Sequence, residues 1–415
     1  MRIADIFRQY WGELIYVFSN SYSMILSMVV SVIATAFIEP ADMGAIQAIL
    51  LIQIYLGFLH CGVFNGLNRN IAYYKSRKEE ELVQDMVNTG YTVSYVVAIL
   101  GGIFALFLLV YYILIGKALV YILSSVLLFF LLIFNPLNNV VDATFRSGQQ
   151  FKQLGRVNSI STTVYAILSL LPIILGYIGK IIADSLRFAI SYLFKFPYRP
   201  YKQTGYGSKA SLILLVRTGF PMLISGYLWT VFVSCDQTYI ARNLTSKDLG
   251  LYSLAGYVMT AVLMIPTSVN ALLYPKAATR YGQTNNPHSL FDFWKKSLYI
   301  YVLLLFPTCV IIYYLLPYVI AFLMPKYVEG VHAAQYSLLT CMTFITSGPA
   351  VIFGTLRKNN YYILLISLSI IAFWVVVTIN ANYFCSIERV AFLRFVISFV
   401  QMIFILGITY NYVKK

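Results

Sequence analysis

The sequence predicts an all-α polytopic membrane protein with about twelve transmembrane helices, arranged as two parallel-repeat six-helix bundles around a central cavity. Three observations predict it. The 415 residues are 60% hydrophobic and only 11% charged, with mean hydropathy +0.76, whereas a soluble domain carries about 25% charged residues. The apolar residues fall into continuous runs of about 20, the length a spanning helix needs, and not into the alternating pattern of a barrel strand. Short blocks of sequence also recur at an offset of 206 residues, almost half of the chain.

Taken in order, the runs place spans near 14–37, 43–65, 87–114, 118–141, 157–176, 181–197, 211–235, 249–275, 297–316, 332–356, 361–380 and 390–412. The opening MRIADIFRQYWGEL leads straight into the first span with no small-residue cleavage site, so it reads as helix and not as a cleavable signal. On that span Asn20, Ser23, Ser27 and Ser31 share one face. The second opens on Glu39-Pro40-Ala41-Asp42, with Pro40 suited to a first helical position and Asp42 to the positive end of the dipole. Gln53, Gly57 and His60 share a face further on, and Asn65, Asn68 and Arg69 close the span.

Asp142 and Arg146 close the fourth span at a pairing distance of four residues, and Asp184 and Arg187 on the sixth are spaced to pair at three. The seventh carries Arg217 near one end, Ser225, Thr230 and Ser234 within it, and Asp236 near the other end. Thr245-Ser246-Lys247-Asp248 heads the eighth as a capping box, with Asp in place of the usual Glu. Ser253, Gly256, Thr260, Thr267, Asn270 and Tyr274 then line one face of that span. Arg394 sits early in the twelfth span, placed to reach outward to the headgroups.

The basic residues orient these spans. Connections after even-numbered spans hold Arg69, Lys75, Arg77 and Lys78; Arg146, Lys152 and Arg156; Lys195, Arg199, Lys202 and Lys209; Lys276, Arg280, Lys295 and Lys296; and Arg357 and Lys358. With Arg2, Arg8, Lys414 and Lys415 that side holds 21 of the 30 lysines and arginines. Odd connections hold six. Cytoplasmic loops are enriched in these residues, so both termini are expected in the cytoplasm and the number of spans is expected to be even. The net charge of +15 is mostly this bias, dispersed over short loops, which argues against a nucleic-acid partner.

The repeat divides the chain into residues 1–200 and 201–415. Asp42 and Asp248, Gly44 and Gly250, Val63 and Val269, Leu67 and Leu273, Gly148 and Gly354, and Lys152 and Lys358 are each 206 apart. Six spans is an even number, so the halves share one orientation and are expected to be related by a pseudo-two-fold axis along the membrane normal, as in parallel-repeat transporters.

The first two helices of each half therefore carry polar residues at depth, enough to wall a wet cavity. Serine and threonine stripes serve equally well as helix packing seams; the amides Asn20, Gln53, Asn65, Asn68 and Asn270 point more to a cavity. His60 has a side chain that titrates near neutral pH, and a packed neutral histidine is the competing reading. Arg69 faces either a bound anion or the headgroups, and Arg217, a turn or two inside its span, has snorkelling to the headgroups as its competing reading. The five cysteines (Cys61, Cys235, Cys309, Cys341, Cys385) are scattered and make no metal-ligand spacing. No metal or other cofactor site, nucleophile triad or phosphate-cradling glycine loop is evident, so the chain is not expected to be an enzyme.

Two blocks are familiar. CDQTYIARNLTSKDLGLYSLAGYVMTAVLMIPTSVNALLYPKAATRYG (235–282) and EPADMGAIQAILLIQIYLGFLHCGVFNGLNRNIAYYKS (39–76) resemble the corresponding blocks of bacterial polysaccharide flippases of the O-antigen (Wzx) type. These belong to the superfamily of multidrug antiporters and oligosaccharidyl-lipid and polysaccharide exporters. The resemblance implies a multi-pass bacterial inner-membrane protein that works by alternating access. It would move an undecaprenyl-diphosphate-linked oligosaccharide, such as an O-antigen unit for lipopolysaccharide, between membrane-lipid leaflets, from cytoplasmic to periplasmic. It also implies a cationic cavity, to which Arg69 and Arg217 are carried over. Asn20, Gln53, Asn65, Asn68, Thr260 and Asn270 are then sugar- or headgroup-facing candidates. Drive by H+ or Na+ follows from the same resemblance, with Asp236 and His60 as candidate coupling residues, and a glycan polymerase is an implied partner. Two rivals are weighed. An ion-coupled multidrug antiporter exporting cations would want free acids, of which only Asp236, Asp184 and Asp142 are available. A glycan polymerase or glycosyltransferase would want a large extramembrane loop.

Overall fold

The computed structural model describes residues 3–284, 286–356 and 359–414. Arg2, Arg357, Lys358 and Lys415, counted above among the cations of one side, lie outside the described residues. The described chain is helical, with no strand: α1 (Ile3–Ala36), α2 (Pro40–Leu56), α3 (Val63–Ser76), α4 (Glu80–Leu114), α5 (Leu119–Ser147), α6 (Phe151–Leu168), α7 (Leu171–Lys195), α8 (Lys209–Asn243), α9 (Ser246–Leu251), α10 (Ser253–Thr284), α11 (Phe291–Leu323), α12 (Val331–Met342), α13 (Ser347–Thr355), α14 (Asn359–Ile379) and α15 (Ile387–Lys414). An apolar chain with no water around it must bond its own backbone, and a helix does so within one segment.

Among the described residues ten helical stretches are long and apolar enough to cross a membrane, and α6 with the stretch Leu171–Tyr198, bent by 112°, passes only as a pair. Charges within these two legs, Lys152, Arg156, Lys180, Asp184 and Arg187, dilute their hydropathy. The legs turn back on each other at Ser169 and Leu170, and pack differently: α6 on α1, α7 on α5. α6 has 18 residues, and α7, kinked at Gly176 (φ 55°), runs on through 177–195, so each leg is about as long as a hydrocarbon core is thick. Large side chains such as Ile174, Phe322 and Leu114 stay 83%, 86% and 78% uncovered, an exterior that water would not tolerate over such an area and lipid does.

Three of the expected spans are broken helices. The second breaks after α2 into a 3-10 turn, Gly57–His60, followed by Cys61 and Gly62, both left-handed at φ 47° and 81°. The eighth breaks at Tyr252 between α9 and α10. The tenth runs through α12, a 3-10 turn at Thr343–Thr346 and α13. Hydrophobic periodicity is blind to such breaks, because the apolar run continues through them.

The chain forms two compact units, one of residues 1–38 and 45–227, the other of residues 39–44 and 228–415. The core of the first gathers Val63, Leu67 and Ile71 of α3, Met86, Val87 and Tyr91 of α4, Val140 and Phe145 of α5, and Leu215 of α8. In this unit α3 and α8 cross at backbone contact. A Cβ on Gly66 would strike the Leu215 carbonyl, and Gly62 and Gly219 exclude one another's side chains in the same way. In the second unit α15 packs on α12 and α14, and α10 on α12 and α13.

Candidate functional site

The polar residues singled out by the sequence fall into three settings. The first lies in the first unit at the α3–α8 crossing. Asn65, Asn68 and Arg69 follow at steps of three and four along α3 and so share a face. Both amides are half-buried and Arg69 is exposed. Asn70, next in sequence, turns inward and donates to the Thr218 hydroxyl of α8 at 3.1 Å. Arg217 is exposed too. It lies two residues from both Leu215 and Gly219, the α8 residues that touch α3, so it projects from the far side of that helix. Neither arginine has an acidic partner among the described residues. The structure thus keeps both guanidiniums available but does not set them side by side.

Asn20 is exposed on α1, its amide donating to the Met24 sulfur at 3.9 Å, and Gln53 is half-buried on α2. The sequence placed His60 inside a span; it stands at the end of the 3-10 turn that breaks α2 from α3. There its Nδ1 accepts the Gly62 N–H at 3.1 Å and its ring lies against Phe64. That bond fixes the left-handed turn and gives His60 a structural task.

The second setting is α10 in the second unit. Thr260, Thr267 and Tyr274 are exposed, while Ser253 is buried. Thr260 bonds its hydroxyl to the Gly256 carbonyl at 2.8 Å, and Asn270 accepts the Tyr301 hydroxyl at 2.6 Å.

The third is a buried charge centre in the same unit. Asp236 is 1% exposed. It accepts the Tyr252 hydroxyl at 2.7 Å and the Gln237 N–H at 2.7 Å. Tyr252 is the residue between α9 and α10. Arg394 of α15 shares this interior, 2% exposed, its guanidinium over the Phe232 ring at 3.5 Å from the centroid. The expectation that Arg394 reaches outward to headgroups is therefore corrected: it points into the unit. Sequence reasoning missed it because it weighed Arg394 alone. The signal was present as Arg394, Ser398 and Gln401, polar at steps of four and three on one face.

Two expected ion pairs also change partners. Asp142 pairs with Lys195 at 2.9 Å, not with Arg146, whose Nε donates to the Asp142 carbonyl at 3.3 Å. Asp184 pairs with Lys180 at 3.1 Å and accepts the Tyr165 hydroxyl at 2.8 Å, while Arg187 lies over the Tyr165 ring. Lysines reach these acids because a flexible four-carbon stem carries a compact charge into a buried site. No cluster of three or more metal-ligating side chains occurs among the described residues.

Residues 17–329 match the family described as "Polysaccharide biosynthesis protein". The chain belongs to that family. No curated protein matches it. Among solved structures, this member of the polysaccharide biosynthesis family resembles a multidrug resistance MATE family transporter of the MOP superfamily in an inward-facing conformation, with TM-score 0.72 and 12% identity over 96% of this chain and 99% of that one. It also resembles a MOP superfamily transporter from Pyrococcus furiosus described as having a binding pocket of reverse polarity, with TM-score 0.66 and 12% identity over 97% and 96%. The lipid II flippase MurJ in an inward closed conformation aligns with TM-score 0.66 and 16% identity over 95% and 87%. At these identities the likeness establishes the fold: an all-α polytopic membrane protein of the kind these transporters share.

Proposed function

We propose that this polysaccharide biosynthesis protein is a flippase that carries an undecaprenyl-diphosphate-linked oligosaccharide from the cytoplasmic to the periplasmic leaflet of a bacterial inner membrane by alternating access. The family match over residues 17–329 carries the reading. The fold shared with a lipid II flippase supports it, since that protein's cargo is also lipid-linked. A diphosphate needs cations, and guanidinium suits it through paired hydrogen bonds. Arg69 and Arg217, exposed and without acidic partners among the described residues, are given this role. Asn20, Gln53, Asn65, Asn68, Thr260 and Asn270 offer hydroxyl and amide partners for sugars. Asp236 is the coupling residue of the proposal, and both termini are placed in the cytoplasm.

The state of the acids favours this reading over a cation-exporting antiporter. Asp142 and Asp184 are held by lysines and Asp236 by Tyr252, which leaves none of the three free for a cationic drug. Depletion of the protein in its own cell should trap lipid-linked glycan on the cytoplasmic leaflet and abolish its surface display. Unchanged display would end the proposal.

A further inference from the structure

Within the first unit, α6 carries a polar face through membrane depth. Lys152, Arg156, Ser159 and Thr163 follow at steps of four, three and four, so they share one side of the helix. Lys152, Arg156 and Thr163 are exposed and Ser159 is half-buried. Neither cation has an acidic partner among the described residues. Against lipid such a face is costly, because an exposed guanidinium or hydroxyl finds no partner there. Against water or a polar ligand it is not.

The helix α1 packs along α6. A Cβ on Gly155 would stand 3.1 Å from the Ser19 hydroxyl, so the two helices touch there. Next to this contact lies an open cavity of about 570 Å³, walled by Phe18, Ser19 and Tyr22 of α1 and by Ser159, Ile160 and Thr163 of α6. That volume is within the range of small-ligand sites, about 300–1,000 Å³. Thr163 gives its hydroxyl proton to the Ser159 carbonyl at 2.9 Å, so in the 3.0 Å contact between the Tyr22 and Thr163 hydroxyls it is Tyr22 that donates. The Tyr22 oxygen is left to accept. The Ser19 and Ser159 hydroxyls have no hydrogen-bond partner among the described residues. The Phe18 ring is 73% exposed and the Tyr22 ring 45%.

Free hydroxyls beside open aromatic rings suit a sugar, whose rim is polar and whose C–H faces are apolar. Arg156 precedes Ser159 by three residues on the same face, about 5 Å along the helix axis. A guanidinium at that spacing meets an anionic group attached to the ring, and phosphate takes paired hydrogen bonds from it.

We propose that the cavity between α1 and α6 binds a glycosyl phosphate, the ring on Phe18, Tyr22 and Ser159 and the phosphate on Arg156. This deepens the flippase reading, on which it rests: the part of the cargo recognised here is the first sugar with its attached phosphate.

Cysteine labelling of the full chain in lipid nanodiscs tests it, in a Cys61→Ser, Cys385→Ser background with Ile160→Cys as reporter. Ile160 borders the cavity without offering a polar group, so the reporter leaves the proposed contacts in place. Ile103→Cys on α4, a position 60% exposed on an apolar face, is the lipid control. A water-soluble maleimide should label Ile160→Cys at least about tenfold faster than Ile103→Cys, as a thiol in water reacts and one in lipid is out of reach. Glucose 1-phosphate, galactose 1-phosphate and N-acetylglucosamine 1-phosphate are the probes. At least one should slow the labelling at concentrations where inorganic phosphate does not. Arg156→Gln should weaken that protection about tenfold and Ser159→Ala about fivefold, through the hydrogen bonds they remove. Labelling as slow as at Ile103→Cys would overturn the proposal. So would protection by inorganic phosphate alone or by none of the probes, or protection that both variants leave unchanged. No transport is measured, so any of these results leaves the glycan-display test of the flippase standing. Unchanged display with protection intact would end the flippase reading and keep the sugar-phosphate cavity.

Discussion

At the scale of single residues, burial separates the charges that hold the protein together from those open to a ligand. Lys180 and Lys195 are 5% exposed and each sits on an aspartate, an arrangement in which removing one partner leaves a buried unpaired charge and costs about 3–5 kcal/mol. Arg69 and Arg217 carry no such duty. Arg69→Ala and Arg217→Ala should therefore leave membrane insertion and yield near wild type while lowering glycan export about tenfold or more, the loss of a charge-assisted hydrogen bond to the cargo. Export assays read beside membrane-fraction levels decide this. Normal export from both variants would return the two arginines to the headgroup region.

At the scale of elements, close backbone approach does work that side chains cannot. Gly44 and Gly250, 206 residues apart in the repeat, touch each other: a Cβ on Gly44 would strike the Ser246 carbonyl, and one on Gly250 the Pro40 carbonyl. The same motif thus heads two helices and also provides the flat surface on which they meet. Thr245 and Asp248 fix one of the two starts by a reciprocal cap, the Asp248 N–H donating to the Thr245 hydroxyl at 3.2 Å and the Thr245 N–H to the Asp248 carboxyl at 3.0 Å. Gly44→Ala and Gly250→Ala should each destabilise by about 1–3 kcal/mol through overpacking, while Ala at Gly226, where a Cβ meets open space, is tolerated; comparative melting curves check both.

The connection of residues 199–208 is held by α4 in similar detail. Asp85 accepts the Ser208 N–H at 3.1 Å and the Ser211 hydroxyl at 2.6 Å, and so steadies Ser208, whose hydroxyl accepts the Ser211 N–H at 3.1 Å and caps the start of α8. Asn88 accepts the Thr204 N–H at 2.9 Å, and Gly207 lies against Thr89. Asp85→Ala should cost about 1–2 kcal/mol, the loss of part-exposed hydrogen bonds to a charged acceptor, and should speed proteolysis at 199–208. An unchanged cleavage rate would show that the remaining contacts hold the connection alone.

At the scale of the whole molecule, charge distribution orients what hydrophobicity inserts. Reporter fusions in the connections near residues 78, 149, 205 and 286 are expected to be active as cytoplasmic reporters. Fusions near 116, 244, 326 and 383 are expected to be active only outside. A cytoplasmic signal from one of the second set would break the alternation on which the two-fold repeat rests.

The amino-acid sequence by itself determined the membrane class, the helical make-up and the family, because each rests on local composition or on short contiguous blocks. Thr245 with Asp248 and Pro40 at a helix start were legible for the same reason, since caps are made within four residues. The breaks at His60, Tyr252 and Thr343 were not, because the apolar run passes through them unchanged. Only the tertiary structure decided that Asp142 takes Lys195 from 53 residues away, that Asp236 takes Tyr252, and that Arg394 faces inward. Which face of a uniformly greasy helix meets protein and which meets lipid is set by the neighbouring helices, and an apolar run carries no mark of them.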